Sequence, residues 1–340
     1  MILPGPGFET VVGRGLIEAV SAELPDYVAY VAPEAYELAR PRLAKYPRAV
    51  VEAVQLEHEA LEQISTASAS TVAEAVVGIG GGSALDTAKF VSWRTGLPLW
   101  QFPSIASVDA AFTQPAGVRV ERRVRYVGTA TPQLVAVDLD LVLSAPAALN
   151  RAGAADILSC HTGLADWRHA STVPDALPVD EELVSRAENW LNQLEHSADA
   201  VGAVTEDGIR FLVTVLRDIG TTCDAVGFSS FEEGSEHYFA YCLEYLTGMH
   251  LVHGELVALG IVAMSIAQQN DPDYIVELLE RLRLRYRPHD LGLDPEIIAR
   301  VLGELPRYCA EESFPPSAAH LLTRETRQEI LARLTSSDPS

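Results

Sequence analysis

Positive charge is scarce in this chain. Of its 340 residues, 25 are Lys or Arg against 47 Asp or Glu, a formal net charge of −22. A surface of that sign repels DNA and RNA, so a nucleic-acid partner is not expected. Long apolar runs are also missing: none reaches the roughly 18–20 residues of a membrane helix, so no membrane partner is expected. The opening residues MILPGPGFETVVGRG lack a basic segment followed by an apolar run. The expectation is therefore no signal peptide and a cytoplasmic location. Cysteine is sparse, and Cys160, Cys223, Cys242 and Cys309 fit neither a CxxC nor a zinc-ribbon spacing. They are expected to be free, buried thiols in a reducing compartment. The one basic stretch, Arg119, Arg122, Arg123 and Arg125, alternates like a strand. It reads either as a solvated strand or hairpin face or as a groove for an acidic substrate or cofactor phosphate.

What remains is ordinary globular composition, 48% hydrophobic and 21% charged, long enough for two medium domains. Strand-like runs at Thr10–Gly13, Tyr27–Val31, Ala49–Val54 and Ala75–Ile79 alternate with helical spacing. That alternation predicts a Rossmann-like α/β domain with a mostly parallel sheet covered on both faces. PLWQFPSIASVDAAFTQP reads as turn-rich, whereas GVRVERRVRYVG and QLVAVDLDLVLSAP, ending at Pro146, read as extended. From Ala147 helical patterns take over, the first spanning Ala147–Ala170. The prediction is a dinucleotide-binding domain over residues 1–145 and an all-helical C-terminal domain over residues 146–340, with a frayed TSSDPS tail.

GIGGGSALDTAK lies where a strand should give way to a helix. Gly80, Gly81 and Gly82 clear the turn of side chains, so backbone N–H groups can approach an oxyanion. Ser83 can cap the helix, whose dipole favours a pyrophosphate. A tight strand–helix corner accounts for the glycines equally well, since neither GxGxxG nor a GKS/GKT loop is present. Asp86 and Lys89, three apart, share a helix face and can pair. Asp86 is also compatible with a role at the nicotinamide end of a dinucleotide.

Three segments of the helical part carry metal-ligand chemistry: AGAADILSCHTG with Asp156, EEGSEHYFAY with His237, and MHLVHGELVALG with His253. A carboxylate and two imidazoles suit zinc or ferrous iron and leave positions open for substrate. Spacing alone does not single them out. The gap from His237 to His253 matches no short metal motif, and His161 and His250 compete as ligands.

Taken together, these blocks resemble the iron-containing alcohol dehydrogenase superfamily, which includes dehydroquinate synthase, and are nearest its glycerol-1-phosphate dehydrogenase branch. GGGSALDTAK looks like that family's cofactor phosphate turn. PSIASVDAAFTQP looks like its PTSASHDGIASP-type loop, placing Ser104 and Ser107 at the cofactor and Asp109 near the substrate. AGAADILSCHTGLADW looks like G-D-x-x-x-K…DW, GSEHYFAY like GSEHxxSH, and VHGELVALG like LHGExVGxG. The resemblance thus implies Asp156, His237 and His253 as ligands of one divalent metal, Zn2+ or Fe2+. It also implies NAD or NADP as hydride carrier and a homo-oligomer. His161 is a weaker candidate for contact with the substrate. Glu34, in VAPEAY after the second strand, favours NAD by bonding a ribose 2′-hydroxyl.

The departures from the family pattern bear on substrate. Cys160 replaces a lysine, Tyr241 a histidine, Ala240 a serine and Val108 a histidine, and SSFEEG at 229–234 replaces an SRPASG-like run. Several of these changes remove positive or hydrogen-bonding groups that a phosphate dianion needs. The expected activity is reversible hydride transfer from an alcohol or polyol, unphosphorylated or amine-bearing. The alternatives are glycerol-1-phosphate dehydrogenase proper, a dehydroquinate-synthase-like cyclase, and a non-catalytic binding module.

Overall fold

A computed structural model describes residues 1–3, 7–53, 55–69, 72–174 and 176–335. Val54, the end of one predicted strand, and the tail after Thr335 lie outside the described residues. The chain forms two compact units, residues 1–150 with 204–227, and residues 151–203 with 228–340.

The first unit contains β1 (Ile2–Leu3), β2 (Glu9–Gly13), α1 (Leu16–Glu23), β3 (Tyr27–Val31), α2 (Pro33–Ala39), β4 (Ala49–Glu52), α3 (His58–Ala69), β5 (Ala75–Gly80) and α4 (Gly82–Thr95). β6 (Leu99–Pro103), β7 (Ala116–Val120), β8 (Arg123–Val127), β9 (Pro132–Asp138) and α5 (Leu139–Val142) follow. Seven strands form one sheet in the order β1-β2-β9-β6-β5-β3-β4, parallel except for β1. β3 and β5 are buried at every residue, as strands covered on both faces must be. Alternate side chains feed two separate cores: Tyr27, Ala29 and Val31 enter one, and Val28 and Tyr30 the other.

Two expectations change here, and one is met. The stretch read as turn-rich contains β6, a central strand between β5 and β9. Its prolines misled because they stand at or beyond its ends, where Pro98 needs no N–H and uses only its carbonyl, accepting from Val76 N at 2.9 Å. The QLVAVDLDLVLSAP segment is not extended throughout. β9 stops at Asp138, whose carboxylate accepts from Asp140 N and Ile17 N, each at 2.9 Å, and so starts α5. The basic stretch forms the β7–β8 hairpin, as a strand-like alternation allows, turning at Glu121 and Arg122 with positive φ.

The remaining helices are α6 (Ala147–Arg151), α7 (Gly153–Leu158), α8 (Cys160–Ala170), α9 (Glu181–Gly202), α10 (Glu206–Val226), α11 (Ser235–Thr247), α12 (His253–Gln268), α13 (Pro272–Leu282), α14 (Pro295–Glu312) and α15 (Arg324–Thr335). The pattern over Ala147–Ala170 is three short helices. At the second break the Ser159 hydroxyl bonds back to the Asp156 carbonyl at 2.8 Å. Helices dominate after residue 146 as predicted, but α10 belongs to the first unit. Its Arg217 donates to Thr10 Oγ1 of β2 at 3.2 Å, and its Asp224 accepts from Gln114 N at 3.1 Å. Hydrophobic pattern gives a helix its apolar face but not its partner. Among the described residues no helix is long and apolar enough to cross a membrane.

Candidate active site

In the second unit α7, α11 and α12 each deliver one side chain to a common point. Asp156 lies on α7, His237 in the first turn of α11, and His253 opens α12. α11 ends at Gly248 in a left-handed cap, and the chain turns back into α12. A Cβ on Gly254 would stand 2.1 Å from the Ala152 carbonyl oxygen, so glycine there lets the start of α12 lie against the backbone preceding α7. One ligand atom from each of the three residues lies within 4.8 Å of the others. His253 Nε2 is 3.8 Å from Asp156 Oδ1, and the two imidazole centroids are 5.4 Å apart. Asp156 and His237 are each 4% exposed, whereas the His253 side chain is 31% exposed, which marks the accessible side. One carboxylate oxygen with two imidazole nitrogens is a donor set that fits Zn2+ or Fe2+.

The residues behind the cluster fix His237. Fully buried Glu236 accepts from His237 Nδ1 at 2.8 Å, from Gly234 N at 2.6 Å and from Thr162 Oγ1 at 2.7 Å. With Nδ1 so engaged, Nε2 is the nitrogen left for a cation. Asp166 accepts from Ser235 N and Ala318 N, each at 2.8 Å, and so pins the start of α11. Burial pulls the His237 imidazolium down, but its bond to Glu236 and the charges of Glu236, Glu233 and Glu232 outweigh that and push it up to about 10 in the metal-free protein. Burial, then the charge of Glu236, pushes Asp166 up to about 6 against the two N–H bonds. Burial and the charges of Glu232 and Glu236 raise the Cys160 thiol, so the residue standing where lysine was expected is a neutral wall. A dication would relieve this concentration of negative charge, and the residues present fit one.

Spacing alone did not reveal Glu236, Thr162 or Asp166. The available signal was the acid immediately before a candidate histidine ligand in GSEH, since ligating imidazoles commonly donate their second N–H to a carboxylate. His161 is turned elsewhere: its Nε2 lies 2.9 Å from the Asn270 carbonyl, and its ring faces Tyr274. His250 is exposed and outside the cluster. Cys223 is half-buried, the other three cysteines are buried, and none of the four is in a disulfide.

The cofactor candidates lie in the first unit. Gly80 has φ +155°, and a Cβ there would meet Ala84 and Ala32 within 2.8 Å, so the turn admits only glycine. Gly81, not Ser83, caps α4. Because the glycine turn is this tight the helix starts at Gly82, leaving Ser83 exposed in its first turn with no side-chain cap bond. The N–H groups at the start of a helix are what an anion needs. Ser104 N donates to Gly80 O at 2.9 Å, joining the two strand-end turns, and Ser104 and Ser107 are both buried. Asp109 opens a single helical turn, and its carboxylate packs against Gly220 of α10. Glu34 is exposed in the first turn of α2. Asp86 and Lys89 do pair, at 2.8 Å, and Lys89 Nζ also donates to Pro115 O at 2.6 Å.

Comparison with known proteins agrees with this arrangement. The family model described as iron-containing alcohol dehydrogenase matches residues 38–146. Glycerol-1-phosphate dehydrogenase [NAD(P)+] of Hyperthermus butylicus is 30% identical over 311 residues, 86% of this chain and 87% of the relative. The protein of the same name from Methanothermobacter thermautotrophicus is 27% identical over 335 residues, 98% and 89% of the two chains. The crystal structure of a probable glycerol dehydrogenase from Sinorhizobium meliloti shares the fold, with TM-score 0.76 at 22% identity, covering 98% of this chain and 97% of that one. An alignment of that extent at 30% identity leads to one conclusion: this chain belongs to the iron-containing alcohol dehydrogenase superfamily.

Proposed function

We propose that the chain is a metal-dependent, NAD(P)-linked dehydrogenase that interconverts a small unphosphorylated alcohol or polyol with its carbonyl. The observation that carries this reading is the convergence of Asp156, His237 and His253 in a member of that superfamily. A divalent cation held there supplies Lewis acidity toward an alcohol oxygen, and a dinucleotide supplies the hydride acceptor. Glu236 holds the His237 ring in one tautomer, and Asp166 holds the backbone from which it projects. Gly80, Gly81, Gly82 and Ser83 offer backbone N–H groups to the cofactor pyrophosphate at the start of α4. Asp86, Ser104 and Ser107 lie on the same element or the adjoining turn and complete that surface. Asp109 orients a substrate hydroxyl or takes part in proton relay. Exposed Glu34 favours NAD over NADP, and the active form is a homo-oligomer in the cytoplasm.

The runner-up is glycerol-1-phosphate dehydrogenase, the activity named for the relatives above. Charge argues against it. The second unit contains no lysine, since the chain's two, Lys45 and Lys89, are in the first. The groups acting most on His237 are glutamates, which repel a phosphate dianion. The test is a turnover screen with NAD and NADP after loading with Zn2+ or Fe2+, comparing polyols with their phosphates. Faster reduction of nicotinamide with uncharged alcohols is the expected result. Comparable rates on glycerol 1-phosphate would restore the runner-up. No net nicotinamide reduction by any alcohol would favour a cyclase of the dehydroquinate-synthase type.

A further inference from the structure

A cavity of about 300 Å³ in the second unit is lined on α11 by Tyr238, the residue after the ligand His237. Its walls come from α8, the segment leading into α11, and the segment following α14. Trp167, Tyr238 and Phe314 give it aromatic surface, with Tyr238 and Phe314 stacked at 4.2 Å between centroids. Asp166 and Glu233 give it two carboxylates, and among the described residues lining it none is Lys, Arg or His. Glu233 also joins the cavity to the cluster. It accepts from the Tyr241 hydroxyl, and the Tyr241 ring lies 5.9 Å from that of His237 and 6.4 Å from that of His253.

Glu233 also accepts from the Ser229 hydroxyl at 2.7 Å, so its carboxylate is held at the cavity wall. Aromatic faces beside carboxylates, with no cation in the wall, suit an organic ammonium. The volume stands at the small end of ligand pockets, which fits a few carbons and excludes a nucleotide.

We infer that this cavity receives the ammonium end of an amino alcohol, held by Glu233 against the aromatic walls. The inference rests on the alcohol dehydrogenase reading for its substrate, but the cavity can be tested without turnover. The full-length, metal-loaded protein is titrated calorimetrically with n-butylammonium chloride, n-butanol and n-butyl phosphate at pH 7.5. Saturable binding of butylammonium alone is expected, weakened roughly 10- to 100-fold by Glu233→Gln, the range of a lost charge-assisted hydrogen bond. Tyr238→Leu is the second variant if the first does not fold, with weakening in the same direction. Butylammonium binding no tighter than butanol, or unchanged in the folded variant, overturns the inference. In the kinetic arm, kcat/KM for aminopropanediol should exceed that for glycerol by at least about tenfold, and Glu233→Gln should reduce that ratio. Turnover of both alcohols at a ratio near one sinks the ammonium pocket and leaves the dehydrogenase standing. Absence of any turnover sinks the dehydrogenase, while the titration still decides the cavity.

Discussion

In the first unit, Lys89 is 1% exposed and lies against Asp86, with backbone carbonyls taking its remaining protons. In the second unit, Asp156, Asp166, Glu232 and Glu236 are all buried within the α7–α8–α11 region. There Glu236 and Asp166 are satisfied by backbone N–H groups, a hydroxyl and an imidazole. Nearby, Glu255 at the start of α12 is clamped by Arg285 at 2.6 and 2.9 Å. Buried charge matched by its opposite holds a fold together. Buried acids that outnumber the cations around them, held mostly by N–H groups and a hydroxyl, are suited to receive a metal cation.

The largest effect expected from this contrast is at the ligands. Asp156→Ala or His237→Ala should abolish stoichiometric metal binding and lower dehydrogenase turnover by at least about a thousandfold, several kcal/mol of lost Lewis-acid stabilisation. Initial rates on metal-loaded protein check this. Next is the matched pair. Lys89→Met leaves Asp86 buried without its cation and should cost about 3–5 kcal/mol in urea unfolding. Asp86→Leu with Lys89→Met should recover most of it, and a double variant as unstable as the single one would break the comparison. Glu236→Gln should weaken metal affinity about 10- to 100-fold in a competitive chelator titration, by loosening the His237 tautomer. An unchanged affinity would remove Glu236 from the metal's support.

The last effect is a pH slope. Asp166 is held at about 6 in the folded state, above its unfolded value of 3.8. Between those values the folded protein binds the extra proton. The associated stability is therefore full below about pH 4 and lost as pH rises through 6, on the order of 3 kcal/mol. Asp166→Asn should flatten that decline in the metal-free protein, as read from unfolding midpoints across this range.

The sheet was legible where burial on both faces leaves an apolar run, as in YVAYV and AVVGIG. It was not legible at β6, whose flanking prolines read as punctuation, nor at α10, whose amphipathic pattern does not say which unit it packs on. The three ligands were legible through motif resemblance, not through spacing, because the fold closes a gap of sixteen residues with a helix and a turn. The support shell was harder to see. The Thr162–Glu236 bond joins residues 74 apart and that of Asp166 to Ala318 residues 152 apart, and no local pattern encodes either.

The most direct test is the metal-to-chain ratio of wild type and Asp156→Ala after chelation, re-addition of Zn2+ or Fe2+ and dialysis. One ion per wild-type chain, with none retained by the folded variant, is the predicted result. An ion retained equally by the variant, or no ion held by wild type, would contradict the account.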